Sequence, residues 1–214
     1  MASLELVTLE VREMLYEPNI PFEYAYFPVD GVLSMLAQLE DDVEIEVATV
    51  GNEGMIGLPL FLGSDATPGR AFSQVPGHAY RLPTAGFKQL MQRPSRLTAV
   101  LHRYTQALMV QISQGNGCNR AHSNDQRCAR WLLQTHDRVG KDSFLLTQEF
   151  LAQMIGVRRA AVSAVASRLQ QDGIIEYSRG VIQILDRPRL EAVSCICYRI
   201  IREEYDRMYQ ELRH

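Results

Sequence analysis

Two adjacent arginines, Arg158 and Arg159, stand where the spacing predicts the first turn of a helix. A guanidinium is a planar, permanently charged fork of donors. From such a position it can reach guanine O6 and N7 in a major groove, or a neighbouring phosphate. The residues around the pair fit that chemistry. Thr147–Ile155 reads as a short helix that Thr147 can cap, Gly156-Val157 as a turn, and Arg158–Gln171 as a second helix closed by Asp172-Gly173. Small Ala152 lets the two helices cross closely, and Val162 and Val165 plug the second into a core. This is helix-turn-helix logic. Ile174–Tyr177, Ser178-Arg179-Gly180 and Val181–Leu185 then read as a β-hairpin with Arg179 at its tip, where a wing touches a phosphate backbone. Arg168 lies further along the second helix and adds a third cation to it.

Other chemistry is sparse. Four cysteines, Cys118, Cys128, Cys195 and Cys197, lie in the second half, too widely spaced for a disulfide framework. Reduced thiols in a cytosol are expected. Cys118 and His122 are four apart on one helical face. Cys195-Ile196-Cys197 has one residue between thiols, a poor zinc spacing beside the usual two-residue gap. The expectation is therefore small buried residues near a helix junction and no metal; a redox or metal switch at the hinge is the competing reading. Metal catalysis on a cupin-like barrel needs clustered histidines and a carboxylate, and the first 90 residues hold only His78. With no Gly-x-Ser-x-Gly elbow and no phosphate-binding loop, an enzyme is not expected.

The chain of 214 residues is long enough for one or two domains. Net charge is −3, but it is unevenly spread. Residues 1–90 carry 4 Lys/Arg against 13 Asp/Glu, and residues 91–214 carry 18 against 12. The second half is the one suited to a polyanion. No apolar run reaches the ~18 residues a membrane-spanning helix needs, and the N-terminus does not read as a secretory signal.

The elements divide the same way. Tyr24–Phe27, Val32–Leu39, Val43–Val50 and Ala71–Gln74 read as short strands between turn formers, and Val43-Glu44-Ile45-Glu46-Val47 alternates as a strand with one wet face. This predicts an antiparallel jelly roll, sandwich or barrel. From Pro94-Ser95 the spacing becomes helical. Leu97, Leu101, Tyr104, Leu108, Ile112 and Gly115 form a stripe that reads as a dimer seam, the alternative being a helix packed on its own strand domain. Gly115-Asn116-Gly117 is a candidate hinge. Gln126–Thr135 is an amphipathic helix around Trp131. A last helix, from Arg189 on, shows Tyr198, Ile201, Tyr205 and Met208 on one side.

On these residues the sequence resembles the Crp/Fnr family. Phe27-Pro28-Val29-Asp30-Gly31 and Gly54-Met55-Ile56-Gly57-Leu58-Pro59-Leu60-Phe61 resemble its cyclic-nucleotide-binding-type β-roll. Leu97–His122 is similar to its dimerisation helix and Thr147–Leu185 to its winged helix-turn-helix. The resemblance implies an α+β fold in three parts. These are an antiparallel, jelly-roll-like β-roll sensor over 1–93, a dimerisation helix over 94–122, and a winged helix-turn-helix with a C-terminal helix over 123–214. It implies a homodimeric, cytoplasmic transcriptional regulator that binds a pseudo-palindromic double-stranded DNA operator, with RNA polymerase as a further candidate partner. Arg159 falls on the family's base-reading arginine, Ser163 lies one turn later on the same face, and Thr147 and Gln148 match backbone-holding positions. Ala160 replaces the family glutamate that follows that arginine. The expected DNA-binding set is Thr147, Gln148, Arg158, Arg159, Ser163, Arg168 and Arg179.

The sensor half departs from the family. Members that read cyclic AMP carry Gly-Glu-Leu followed by Arg-Ser-Ala; here the equivalent positions are Ile56-Gly57-Leu58 and Thr67-Pro68, with Arg70 two residues out of register. A phosphate buried without a cation is costly, so gating by cyclic AMP in the usual way is not expected. An iron–sulfur cluster is not expected either, because residues 1–117 hold no cysteine. Nor is haem, because His78 and His102 lack a paired ligand pattern. Relatives often carry helices ahead of the roll; a start at Met1 leaves no room for them, so a shortened chain is also an expectation. Two other classes stay open: a ligand-binding regulatory module without DNA binding, and a cupin-like enzyme.

Overall fold

The computed structural model describes residues 3–39 and 44–212. Strand-forming residues of the first half build two antiparallel sheets that face each other across one core. The first has the order β1 (Glu5–Leu9), β7 (Gly77–Pro83), β3 (Tyr24–Pro28). The second has the order β2 (Met14–Tyr16), β6 (Arg70–Val75), β4 (Val32–Gln38), β5 (Glu44–Val50). The expected strand start at Val43 lies outside the described residues. Short α1 (Leu58–Phe61) and α2 (Thr84–Met91) close the roll.

Then comes α3, Arg96–Ala121, whose first turn is fixed by a reciprocal capping box between Ser95 and Thr98. It runs unbroken through Gly115 and Gly117. The chain turns instead at His122-Ser123, where Ser123 and Gln126 form a second capping box for α4 (Asn124–Val139). The intrinsic cost of ~1 kcal/mol for each glycine does not break a helix anchored on both sides.

The second half is α4, β8 (Ser143–Leu145), α5 (Gln148–Ile155), α6 (Arg159–Gln171), β9 (Ile175–Ser178), β10 (Val181–Ile184), α7 (Arg187–Val193) and α8 (Ile196–Leu212). Its small sheet has the order β8-β10-β9. Trp131, Leu132, Leu151, Ile155, Val162, Val165 and Ile182 share its core.

The structure corrects the seam read on α3. Leu101, Tyr104 and Leu108 are 3%, 1% and 4% exposed, inside the core of their own chain, and Leu97 and Ile112 pack against the same core. A stripe of this kind does require a partner, and here the partner is intramolecular. The roll covers one flank, and Ile201, Tyr205 and Met208 of α8 cover the other. Gly115 is half-buried.

The two halves are also docked on each other. Glu46, expected on a wet face of β5, accepts a 2.7 Å hydrogen bond from Trp131 Nε1 and another from Ser34. Burial pushes its carboxyl up to about 7. Arg138 Nε and Glu53 Oε1 lie 2.7 Å apart, with side chains 7% and 8% exposed. Phe72 of the roll meets Phe150 of α5 edge to face at 5.9 Å. Among the described residues, no helix is long and apolar enough to cross a membrane.

Candidate nucleic-acid interface

The surface that carries cations outward is built by local rules. Thr147 accepts the Phe150 amide at the start of α5. Gly156 ends that helix at φ 64, a left-handed conformation that glycine takes without a Cβ penalty. The reversal sets Arg158 at the N-cap of α6 and Arg159 in its first turn. Both are exposed. Behind the turn, buried Arg127 donates to the Ile155 carbonyl and fixes the end of α5 from the core side. On the wing, Arg179 and Gly180 have φ of 50 and 77, the two left-handed residues of a tight hairpin that carry Arg179 at the tip.

Between the start of α6 and the wing lies an open groove lined by Thr147, Gln148, Glu149, Arg159, Tyr177 and Gly180. Ser163 donates from its hydroxyl to Gln148 Oε1 at 2.5 Å, so these two expected residues act as one unit at the groove edge. Tyr177 donates to the Leu146 carbonyl, which holds the wing to the helix pair; burial raises its hydroxyl pKa. Sequence reasoning did not single out Tyr177 or Glu149. The first could have been read from its place in the hairpin. The second places a carboxylate 4.0 Å from the Arg159 guanidinium.

Arg168 is placed differently from the other expected cations. Its guanidinium is committed to Asp125 of α4, with Nε at 2.9 Å and a terminal nitrogen at 2.7 Å from the same carboxylate oxygen. That fork braces α6 against α4.

The histidines considered for haem are placed apart: His78 beside Asp30 on the roll surface, and the His102 ring 4.8 Å from that of Phe61. The thiols are not scattered. Cys118 and His122 at the end of α3 converge with Cys195 and Cys197 at the start of α8. Cys128 stays apart in the core of the second half.

A roll of two antiparallel sheets, a long connecting helix and a winged helix presenting exposed cations define a DNA-binding regulator with a sensor-type domain. Comparison with known proteins carries this further. Residues 6–94 match the cyclic nucleotide-binding domain family, and residues 126–193 match the Crp-like helix-turn-helix domain family. Among solved structures, FixK2 from Bradyrhizobium japonicum is similar with a TM-score of 0.76 at 17% identity, over 90% of this chain and 98% of that one. A transcriptional regulator of the CRP/FNR family from Thermus thermophilus is similar with a TM-score of 0.72 at 20% identity, over 89% of this chain and 98% of that one. The c-di-GMP responsive regulator CLP from Xanthomonas campestris gives a TM-score of 0.67 at 16% identity, over 85% of this chain and 93% of that one. No curated protein sequence matches. The chain belongs to the Crp/Fnr family of transcriptional regulators.

Proposed function

We propose that this regulator acts in the cytoplasm as a homodimer that sets two copies of α6 into successive major grooves of a pseudo-palindromic site. Arg159 reads base edges, Arg158 and Arg179 hold phosphates, and Thr147 with the Gln148–Ser163 pair fixes the approach. RNA polymerase is a further partner in this reading. The observation that carries it is the joint exposure of Arg158 and Arg159 at the N-terminus of α6, with Arg179 across the groove. A chemical role is not proposed for any residue of the roll.

With Leu101, Tyr104 and Leu108 buried, the dimer seam shifts to the opposite stripe of α3. Ala99, His102, Gln106, Met109, Ser113 and Asn116 recur at three- and four-residue steps and are all exposed. Met109, 59% exposed, is its large apolar anchor.

The signal is not cyclic AMP bound in the usual way. Arg70, two residues out of register with the expected phosphate position, is 2.8 Å from Glu44 and 3.6 Å from Glu17. Calorimetric titration with cyclic AMP is expected to show no micromolar site. A site of that affinity abolished by Arg70→Ala overturns this part.

The DNA reading is tested by fluorescence anisotropy on mixed-sequence duplex across a salt series. Affinity is expected to fall steeply as salt rises. The double charge reversal R158E/R159E is expected to cost several kcal/mol of binding with an unchanged melting curve. Salt-insensitive binding, or a double variant that binds as the parent does, refutes it.

A further inference from the structure

We propose that Cys118, His122, Cys195 and Cys197 form a closed tetrahedral site for a thiophilic divalent cation of the zinc class, which locks the elbow between α3 and α4 to the start of α8. The ligand atoms of these four side chains all lie within 4.8 Å of one another. Cys118 Sγ is 3.4 Å from Cys195 Sγ, and Cys197 Sγ is 3.6 Å from His122 Nδ1. A tetrahedron with metal–sulfur bonds of about 2.3 Å and metal–nitrogen bonds of about 2.0–2.1 Å has edges of about 3.8 Å between sulfurs and about 3.6 Å between sulfur and nitrogen. The side chains therefore already stand close to coordinating separation. Three cysteines and one histidine are a structural zinc set, and with four protein ligands no position is left for a substrate.

The one-residue spacing of Cys195 and Cys197 is no obstacle, because the two thiols do not sit in a strand. Ser194 ends α7 in an extended conformation and α8 begins at Ile196. Cys195 thus precedes the helix while Cys197 lies in its first turn, and both aim at the last turn of α3. The N-terminus of α8 also favours negative charge at these sulfurs.

The surroundings ask for an anion. Arg130 of α4 is 7% exposed, and its Nε donates to Cys118 Sγ at 3.2 Å. A terminal nitrogen donates to Gln134, a neutral partner, and Glu46, a carboxyl whose titration this guanidinium influences, is pushed by burial up to about 7. A buried guanidinium is costly without a compensating charge. On metal binding the three thiols release three protons to solvent. The divalent cation with three thiolates and a neutral imidazole then carries one net negative charge, which matches Arg130. Arg130 thereby becomes the outer partner that orients Cys118 and ties α4 to the site.

The test uses the untagged full chain, purified under reducing conditions without chelator. Elemental analysis is expected to find about one zinc per chain. Replacement by Co2+ is expected to give the intense visible bands and sulfur-to-cobalt charge transfer of a tetrahedral thiolate site. Cys195→Ser and Cys118→Ser are expected to lose the metal, while Cys128→Ser, whose thiol lies outside the cluster, keeps it. His122→Cys is expected to retain Co2+ with red-shifted bands. These readouts do not depend on DNA binding, so they separate this site from the regulatory reading. Parent protein free of zinc whose Co2+ spectrum shows no such bands overturns the proposal. So does iron with acid-labile sulfide in place of zinc, or loss of metal from Cys128→Ser equal to that from Cys195→Ser.

Discussion

Arginines at the recognition surface and arginines at the joint between the two halves live under opposite constraints. Arg158, Arg159 and Arg179 are exposed, and the nearest carboxylate to Arg159 is 4.0 Å away. Arg127 and Arg130 are buried and the Arg138 side chain is 7% exposed; they are aimed at a carbonyl, a thiol with an amide, and a carboxylate respectively. Exposed guanidinium groups cost little to keep and leave their donors free for a polyanion. Buried ones are tolerable only where each is matched, and removing a match exposes the whole desolvation cost. Residue type does not assign the role; the partners within the chain do.

The contrast can be broken most forcefully at the joint. Arg138→Ala leaves Glu53 buried without its partner and is expected to cost about 3–5 kcal/mol of stability, read by urea denaturation. Replacing both by methionine is expected to cost much less, because no lone charge is left behind. If the single change leaves the denaturation midpoint where it was, the joint is not held as described.

A smaller effect is expected from Glu46, which faces the same joint. Its folded pKa of about 7 lies above the ordinary glutamate value, so the folded chain binds a proton that the unfolded chain has released. Stability therefore falls as pH rises from about 4.5 to about 7, and this carboxylate opposes folding above that range. Glu46→Gln is expected to flatten the slope and to raise stability at pH 8 by on the order of 1–2 kcal/mol. A slope that survives the substitution assigns the titration elsewhere.

The smallest effect tests the boundary between the two groups. Arg168 is exposed yet paired with Asp125. Its change to alanine is expected to lower stability by under about 1 kcal/mol, the usual worth of an exposed ion pair. DNA affinity and its salt slope should not move. A drop in affinity like that of a change at Arg159 returns Arg168 to the contact set.

The recognition helix was legible because its determinants are local: a capping threonine, a left-handed glycine and two arginines within one short stretch. Strands β3, β4, β5 and β6 were legible from runs of branched and aromatic residues. Strands β1, β2 and β7 were not, because β1 and β2 are short and β7 carries Gly77, His78 and Arg81 among its apolar residues. The α3 stripe was visible but its partner was not. Periodicity reports that a face is covered and is silent about which segment covers it. For the same reason Arg168 read as free, and the convergence of Cys118 with Cys195, 77 positions apart, stood only as a competing reading.

The packing of Ile201, Tyr205 and Met208 onto α3 makes α8 a wall of the roll domain. The interior of the roll is sealed only when α8 arrives, with the winged helix held between the two segments that close it. During synthesis this face of α3 stays uncovered until α8 has left the ribosome. Truncation just beyond the wing would therefore damage the half of the molecule most distant along the chain.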